Sequence, residues 1–133
     1  MMMEVVFPGG KKVDAKYNGF TIQTDQPKMG GGDGSAPAPF DLFLASIGTC
    51  AGIYVLGFCQ QRGIPTDGIK IVQSMEVDPF KRQIGKINLE IQVPETFPAQ
   101  YKDAVIRSAE LCAVKKHMQA PPDFNIYTKV VAN

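Results

Sequence analysis

Three cysteines are the only thiols in this 133-residue chain, and their surroundings differ. Cys50 sits in "ASIGTCAG", among small residues, Cys59 follows in "GFCQQ", and Cys112 stands in "AELCAV". A thiolate is a nucleophile and a reductant, and two thiols that meet can cycle through a disulfide without a metal or an organic cofactor. An odd, sparse set with no Cys-x-x-Cys pair argues against a disulfide framework, and no close Cys/His spacing suggests zinc. His117 is the one histidine, five residues past Cys112. On a helix that spacing turns it about 140° off the cysteine's face, so a Cys/His dyad is not expected there.

The element that must position Cys50 is unusual. The 18 residues 42–59 carry no formal charge, in a chain whose mean hydropathy is −0.06. The run just reaches the length of a membrane span. Interior glycines, Asp41 at its entry and amphipathic strand-like flanks favour instead a central helix covered on every side. On that helix Phe43, Ser46, Ile47, Ile53, Tyr54 and Gly57 share the face of Cys50, while Cys59 points the other way as a small buried hydrophobe. Gly48 and Gly52 form a small-residue face suited to close backbone approach. Asp41, in the first turn, complements the helix dipole. A second helix is expected over 99–119, between Pro98 and Pro121-Pro122, with Val105, Ser108, Ala109, Lys115 and Lys116 on the face of Cys112. Lys116, one turn on, could favour a Cys112 thiolate. Spacing alone leaves two readings open: a reactive pair or two inert core residues.

The remaining segments read as strands. Asn18-Gly19 is a hairpin signal between runs at Lys12–Tyr17 and 20–25, and 2–7 supplies a third strand. A Gly/Pro-rich connector, 26–39, follows; its glycine triplet lacks the Gly-Lys-Ser/Thr of a phosphate loop. Residues 69–78 and the alternating "GKINLEIQV" form a pair with one wet face, and "FNIYTKVV" from Phe124 closes the chain. The order βββ-α-ββ-α-β describes one α+β domain over 1–133, with a mostly antiparallel sheet. A net charge of +1 gives no case for nucleic acid or a membrane surface. No basic, apolar leader is visible in "MMMEVVFPGGKK", so a reducing cytoplasm is expected.

"APAPFDLFLASIGTC" and "AELCAVKKHM", in this order of elements, resemble the OsmC/Ohr family of osmotically inducible and organic hydroperoxide resistance proteins, its YhfA-like branch most closely. The resemblance implies an intertwined homodimer whose sheets wrap the central helices, with Cys50 similar to the family's peroxidatic cysteine and Cys112 to its resolving cysteine. It implies reduction of an organic hydroperoxide through a disulfide, restored by a dithiol reductant, with no cofactor. The apolar tail of the substrate would meet Phe43, Ile47, Ile53 and Tyr54. This chain departs from the family at four positions. No arginine precedes the central helix, Phe40 stands at a glutamate position, Asp41 replaces a glutamate, and Ala113 follows the second cysteine in place of proline. Lys28 is the only basic residue in the loop where the family carries its arginine, and is expected to approach Cys50 from the partner subunit. The alternative is a non-catalytic member of the fold, either redox-sensing or binding a small apolar ligand.

Overall fold

Asn18 and Gly19 both take positive φ, 46° and 79°, in the computed structural model, which describes residues 1–132. That is the geometry a two-residue hairpin turn demands, and the two strands it joins are β2 (Lys12–Tyr17) and β3 (Phe20–Thr24). With β1 (Glu4–Gly9) they form an antiparallel sheet in the order β1-β2-β3. The register aligns Val5 with Ala15 and Ala15 with Ile22, so apolar residues share one face, opposite Asp14 and Gln23. Helix α1 (Pro39–Gln61) follows the loop 26–38. Strands β4 (Lys70–Asp78) and β5 (Gln83–Gln92) make a second antiparallel pair. Its turn is fixed by Asp78, whose Oδ1 accepts from the N–H groups of Phe80 and Lys81. The chain is therefore α+β with antiparallel sheets, as the sequence suggests.

Two compact units divide it, 1–46 and Ile47 onward. In the first, the loop after β3 is no free connector. Asp25 is 1% exposed, and its carboxylate accepts from the N–H groups of Gln26, Asp33 and Ser35 and from the Ser35 hydroxyl. Those bonds hold its acidity at about 2, the Ser35 hydroxyl contributing most. Lys12 adds an ion pair to Asp33 at 3.5 Å. Gly32 closes the loop so tightly that a Cβ there would run into the Gln26 carbonyl oxygen.

In the second unit, Val55, Phe58 and Cys59 of α1 meet Phe97 and Val105, with Ile71 and Ile91 of the strand pair packed against them. The glycine face of α1 receives side chains, not a second backbone. The Cβ position of Gly48 lies 2.6 Å from Gln73 Oε1, and that of Gly52 lies 3.9 Å from Ile71 Cδ1. By length and apolar content α1 could cross a membrane, yet only 28% of its apolar window is buried within one chain.

Two expectations fail beyond β5. The second helix is not continuous: a 3-10 turn (Ala99–Tyr101) leads into α2 (Lys102–Ala109), and α3 (Ala113–Gln119) begins after a break. Cys112 stands in the break with φ −48° and ψ 124°, outside helical space, so the shared face drawn through it does not exist. Residues 121–132 form no strand, and Phe124, Ile126, Tyr127, Val130 and Val131 are exposed. A strand needs a neighbour to satisfy its backbone groups, and none of the described residues of this chain supplies one.

Candidate functional site

Cys50 lies near the middle of α1, half-buried, and Cys112 is 2% exposed at the head of α3. Both are free thiols, near enough that each sulfur shifts the other's ionisation. α1 brings Cys50 to this point because its apolar core residues on either side, Ile47, Ala51 and Val55, are buried and fix its rotation. α2 is tied to α1 one turn further on, where the Ser108 hydroxyl donates to the Tyr54 carbonyl at 3.1 Å. The break after α2 then sets Cys112 beside Cys50.

The electrostatics of the two sulfurs are opposed. The Cys112 thiol, and after it the N–H groups of Val114 and Ala113, bond the Cys50 sulfur and hold its pKa below the ordinary thiol range, against the effect of burial. Burial pushes the Cys112 thiol up, and its bond to Cys50 adds to that shift. Cys50 is therefore the more readily ionised thiol of the pair, and Cys112 the one that holds its proton longer. Lys116 does not make Cys112 the more acidic thiol; burial outweighs any help from that side chain. Cys59 is fully buried and its pKa is raised by desolvation, which the nearby Arg62 only partly offsets. Such a thiol is inert.

The other residues singled out from sequence fall in different places. Ile53 and Phe43 are exposed, Tyr54 is half-buried, and Ile47 is 5% exposed with its side chain in the interior. Asp41 Oδ2 accepts from the Ala38 N–H at 3.1 Å, which satisfies an amide at the start of α1. Lys28 stands in a single 3-10 turn, Lys28–Gly30, of the first unit. His117 faces solvent, its Nδ1 2.7 Å from the Ala113 carbonyl of its own helix.

Two features carry no obvious sequence signal. One is the Asp25 cradle. The other is Arg62, whose guanidinium lies 3.7 Å from the Phe58 ring centroid and 5.5 Å from that of Tyr101, and donates to the Phe58 carbonyl. An arginine four residues after an aromatic on a helix is the only hint of it.

The model of the OsmC-like protein family matches residues 32–127. Among solved structures, one named for an osmotic stress induced and detoxification response protein of Psychrobacter arcticus superposes with a TM-score of 0.69 at 22% identity, covering 87% of this chain and 86% of that one. An organic hydroperoxide resistance protein OsmC of Legionella pneumophila gives 0.54 at 17% identity, covering 90% of each chain. A structure named for an organic hydroperoxide resistance protein of Vibrio cholerae, with captopril bound in one of its active sites, gives 0.55 at 16% identity, covering 91% of this chain and 86% of that one. At these identities the structures establish the fold. No curated protein matches the chain.

Proposed function

The chain belongs to the OsmC-like family, and from that premise we propose that it is a thiol-dependent reductase of organic hydroperoxides. The observation that carries this reading is the Cys50–Cys112 contact, with the charge favoured on Cys50 and the proton on Cys112. The Cys50 thiolate attacks one oxygen of ROOH, the O–O bond breaks, and the leaving alkoxide takes a proton to become ROH. Cys50 is then a sulfenic acid. Cys112 attacks its sulfur, expelling water and closing a disulfide, and a dithiol reductant returns both thiols by exchange. Each turnover converts ROOH and two reductant thiols into ROH, water and a reductant disulfide. Ile53, Tyr54 and Phe43 offer apolar surface on or near the Cys50 face of α1 for the substrate's tail, with Ile47 behind it in the interior.

The working form in this reading is a homodimer in a reducing cytoplasm, one domain completed by a second copy. That copy would cover the exposed apolar surface of α1 and pair with the segment from Phe124. It would also bring Lys28 toward Cys50, while Asp41 serves chiefly to close the start of α1. A second reading, a redox-sensing or apolar-ligand-binding protein without turnover, is favoured by one observation. The chain has no arginine before α1, and Arg62 is committed to Phe58 and Tyr101.

A coupled assay with cumene hydroperoxide and several dithiol reductants separates the two. Turnover by the wild type, lost in Cys50→Ser and reduced to a single event in Cys112→Ser, is the expected result. Oxidation of the pair by peroxide with no turnover under any reductant leaves the second reading.

A further inference from the structure

Contacts at two levels show how the segment that carries Cys112 runs along α1. The Tyr101 ring lies 5.8 Å from the Phe58 ring and 5.5 Å from the Arg62 guanidinium. Further on, the Ser108 hydroxyl donates to the Tyr54 carbonyl at 3.1 Å. As one segment advances from Tyr101 to Ser108, the other retreats from Arg62 and Phe58 to Tyr54, so the two run antiparallel. The next step, one turn on from Ser108 and one turn back from Tyr54, pairs Cys112 with Cys50. Ser108 acts on both sides of that step. A serine within a helix often bonds the carbonyl four residues back. Ser108, half-buried, turns its hydroxyl to α1 instead, and the Tyr54 carbonyl has a second lone pair to accept it. The Ser108 carbonyl accepts the Leu111 N–H at 3.1 Å, in the turn immediately before Cys112. One residue thus fastens α2 to α1 and closes the turn that enters the break.

We propose that Ser108 is a positioning residue for the thiol pair, its hydroxyl bond to the Tyr54 carbonyl holding the Cys112 segment on α1 at the separation a Cys50–Cys112 disulfide requires. A disulfide tolerates Cα separations of only about 4.4–6.8 Å. Cys112 stands outside helical geometry, so its place over α1 needs a fixed point nearby, and Ser108 supplies it. The hydroxyl bond and the bridge reinforce each other. A closed bridge holds hydroxyl and carbonyl together at less entropic cost, and by linkage the hydroxyl bond favours the bridge by the same factor. The serine acts through the cysteines and takes no part in bond making.

The inference rests on the proposed pairing of Cys50 with Cys112, but its test is an equilibrium that needs no peroxide. The full-length protein is equilibrated in dithiothreitol redox buffers, where its two thiols pass two electrons and two protons to the cyclic disulfide of the oxidised reagent. Peptide mapping gives the fraction bridged between Cys50 and Cys112. Ser108→Ala should lower the equilibrium constant for the bridge by about two- to fivefold, a rise of roughly 10–20 mV in its potential. Ser108→Thr, which keeps a hydroxyl, should retain the wild-type value. A role confined to packing α2 would weaken the oxidised and reduced folds alike and leave the potential where it was. An unmoved potential in the alanine variant, or an equal rise in the threonine variant, overturns the proposal. A wild type that bridges and shows the shift without turning over peroxide upholds it and removes only the peroxidase reading. A wild type that forms no Cys50–Cys112 bridge overturns both.

Discussion

At the scale of single residues, three cysteines of one chain differ in reactivity for reasons that can be separated. Cys50 ionises below the ordinary thiol range, first because the Cys112 thiol donates to it. Cys112→Ala removes that donor, so the Cys50 midpoint in alkylation should rise, with less thiolate and slower modification at neutral pH. Peroxide at one equivalent should link Cys50 to Cys112 and leave Cys59 free, since Cys59 is buried and its ionisation suppressed. Peptide mapping reads the pattern, and a bridge to Cys59 would contradict the assignment. Arg62 illustrates a side chain whose work is structural. Its guanidinium covers the Phe58 ring and caps a carbonyl near the end of α1. Arg62→Ala should cost about 1–2 kcal/mol in denaturant unfolding, and Arg62→Lys should recover only part, because a compact ammonium cannot stack as a planar fork does.

At the scale of elements, the loop 26–38 behaves as a built part. Asp25→Asn leaves too few acceptors for four donors, and should lower Tm at neutral pH. Its folded acidity, about 2 against an ordinary 3.8, means that the carboxylate's stabilisation is present above the ordinary value and is lost as pH falls through about 2. The wild type should therefore lose stability on acidification over that interval more steeply than Asp25→Asn. Gly32→Ala drives a methyl into the Gln26 carbonyl and should destabilise by about 1–3 kcal/mol. The hairpin, α1 and the β4–β5 alternation were legible in sequence, because Asn18-Gly19, a charge-free run and a period of two are local signals. The cradle was not, because an aspartate and a serine ten residues apart say nothing until the chain folds back between them. The break at Cys112 was equally silent. No glycine or proline marks it, and tertiary contacts override a sequence of good helix formers. That same break sets Cys112 where it acts on Cys50, so the part of the site hidden from sequence is the part that tunes it.

For the molecule as a whole, one chain leaves too much unfinished. Only 28% of the apolar window of α1 is fully buried and Phe43 and Ile53 on it are exposed, both sheets have open edges, and among the described residues a tail rich in β-branched and aromatic residues has no strand to join. Sedimentation at micromolar concentration should find a dimer, and a stable monomer would remove the proposed assembly. Ending the chain after Ala120 should weaken association if the tail is the element exchanged, and an unchanged dimer would locate the interface elsewhere.

In the proposed cycle, the depth of Cys112 has a consequence for how the oxidised protein would be reset. An incoming thiol must align with the sulfur it attacks and the one that departs, and only the Cys50 end of the bridge is within reach, Cys112 being 2% exposed. In the proposed cycle the entering group should therefore bond to Cys50, with Cys112 as the leaving group. A monothiol stalled on the oxidised protein should be recovered on the Cys50 peptide. Adducts on Cys112 would show that the bridge swings outward once it forms. The direction of repair in that cycle would be set by access, through a residue whose own chemistry would make it the poorer leaving group of the two.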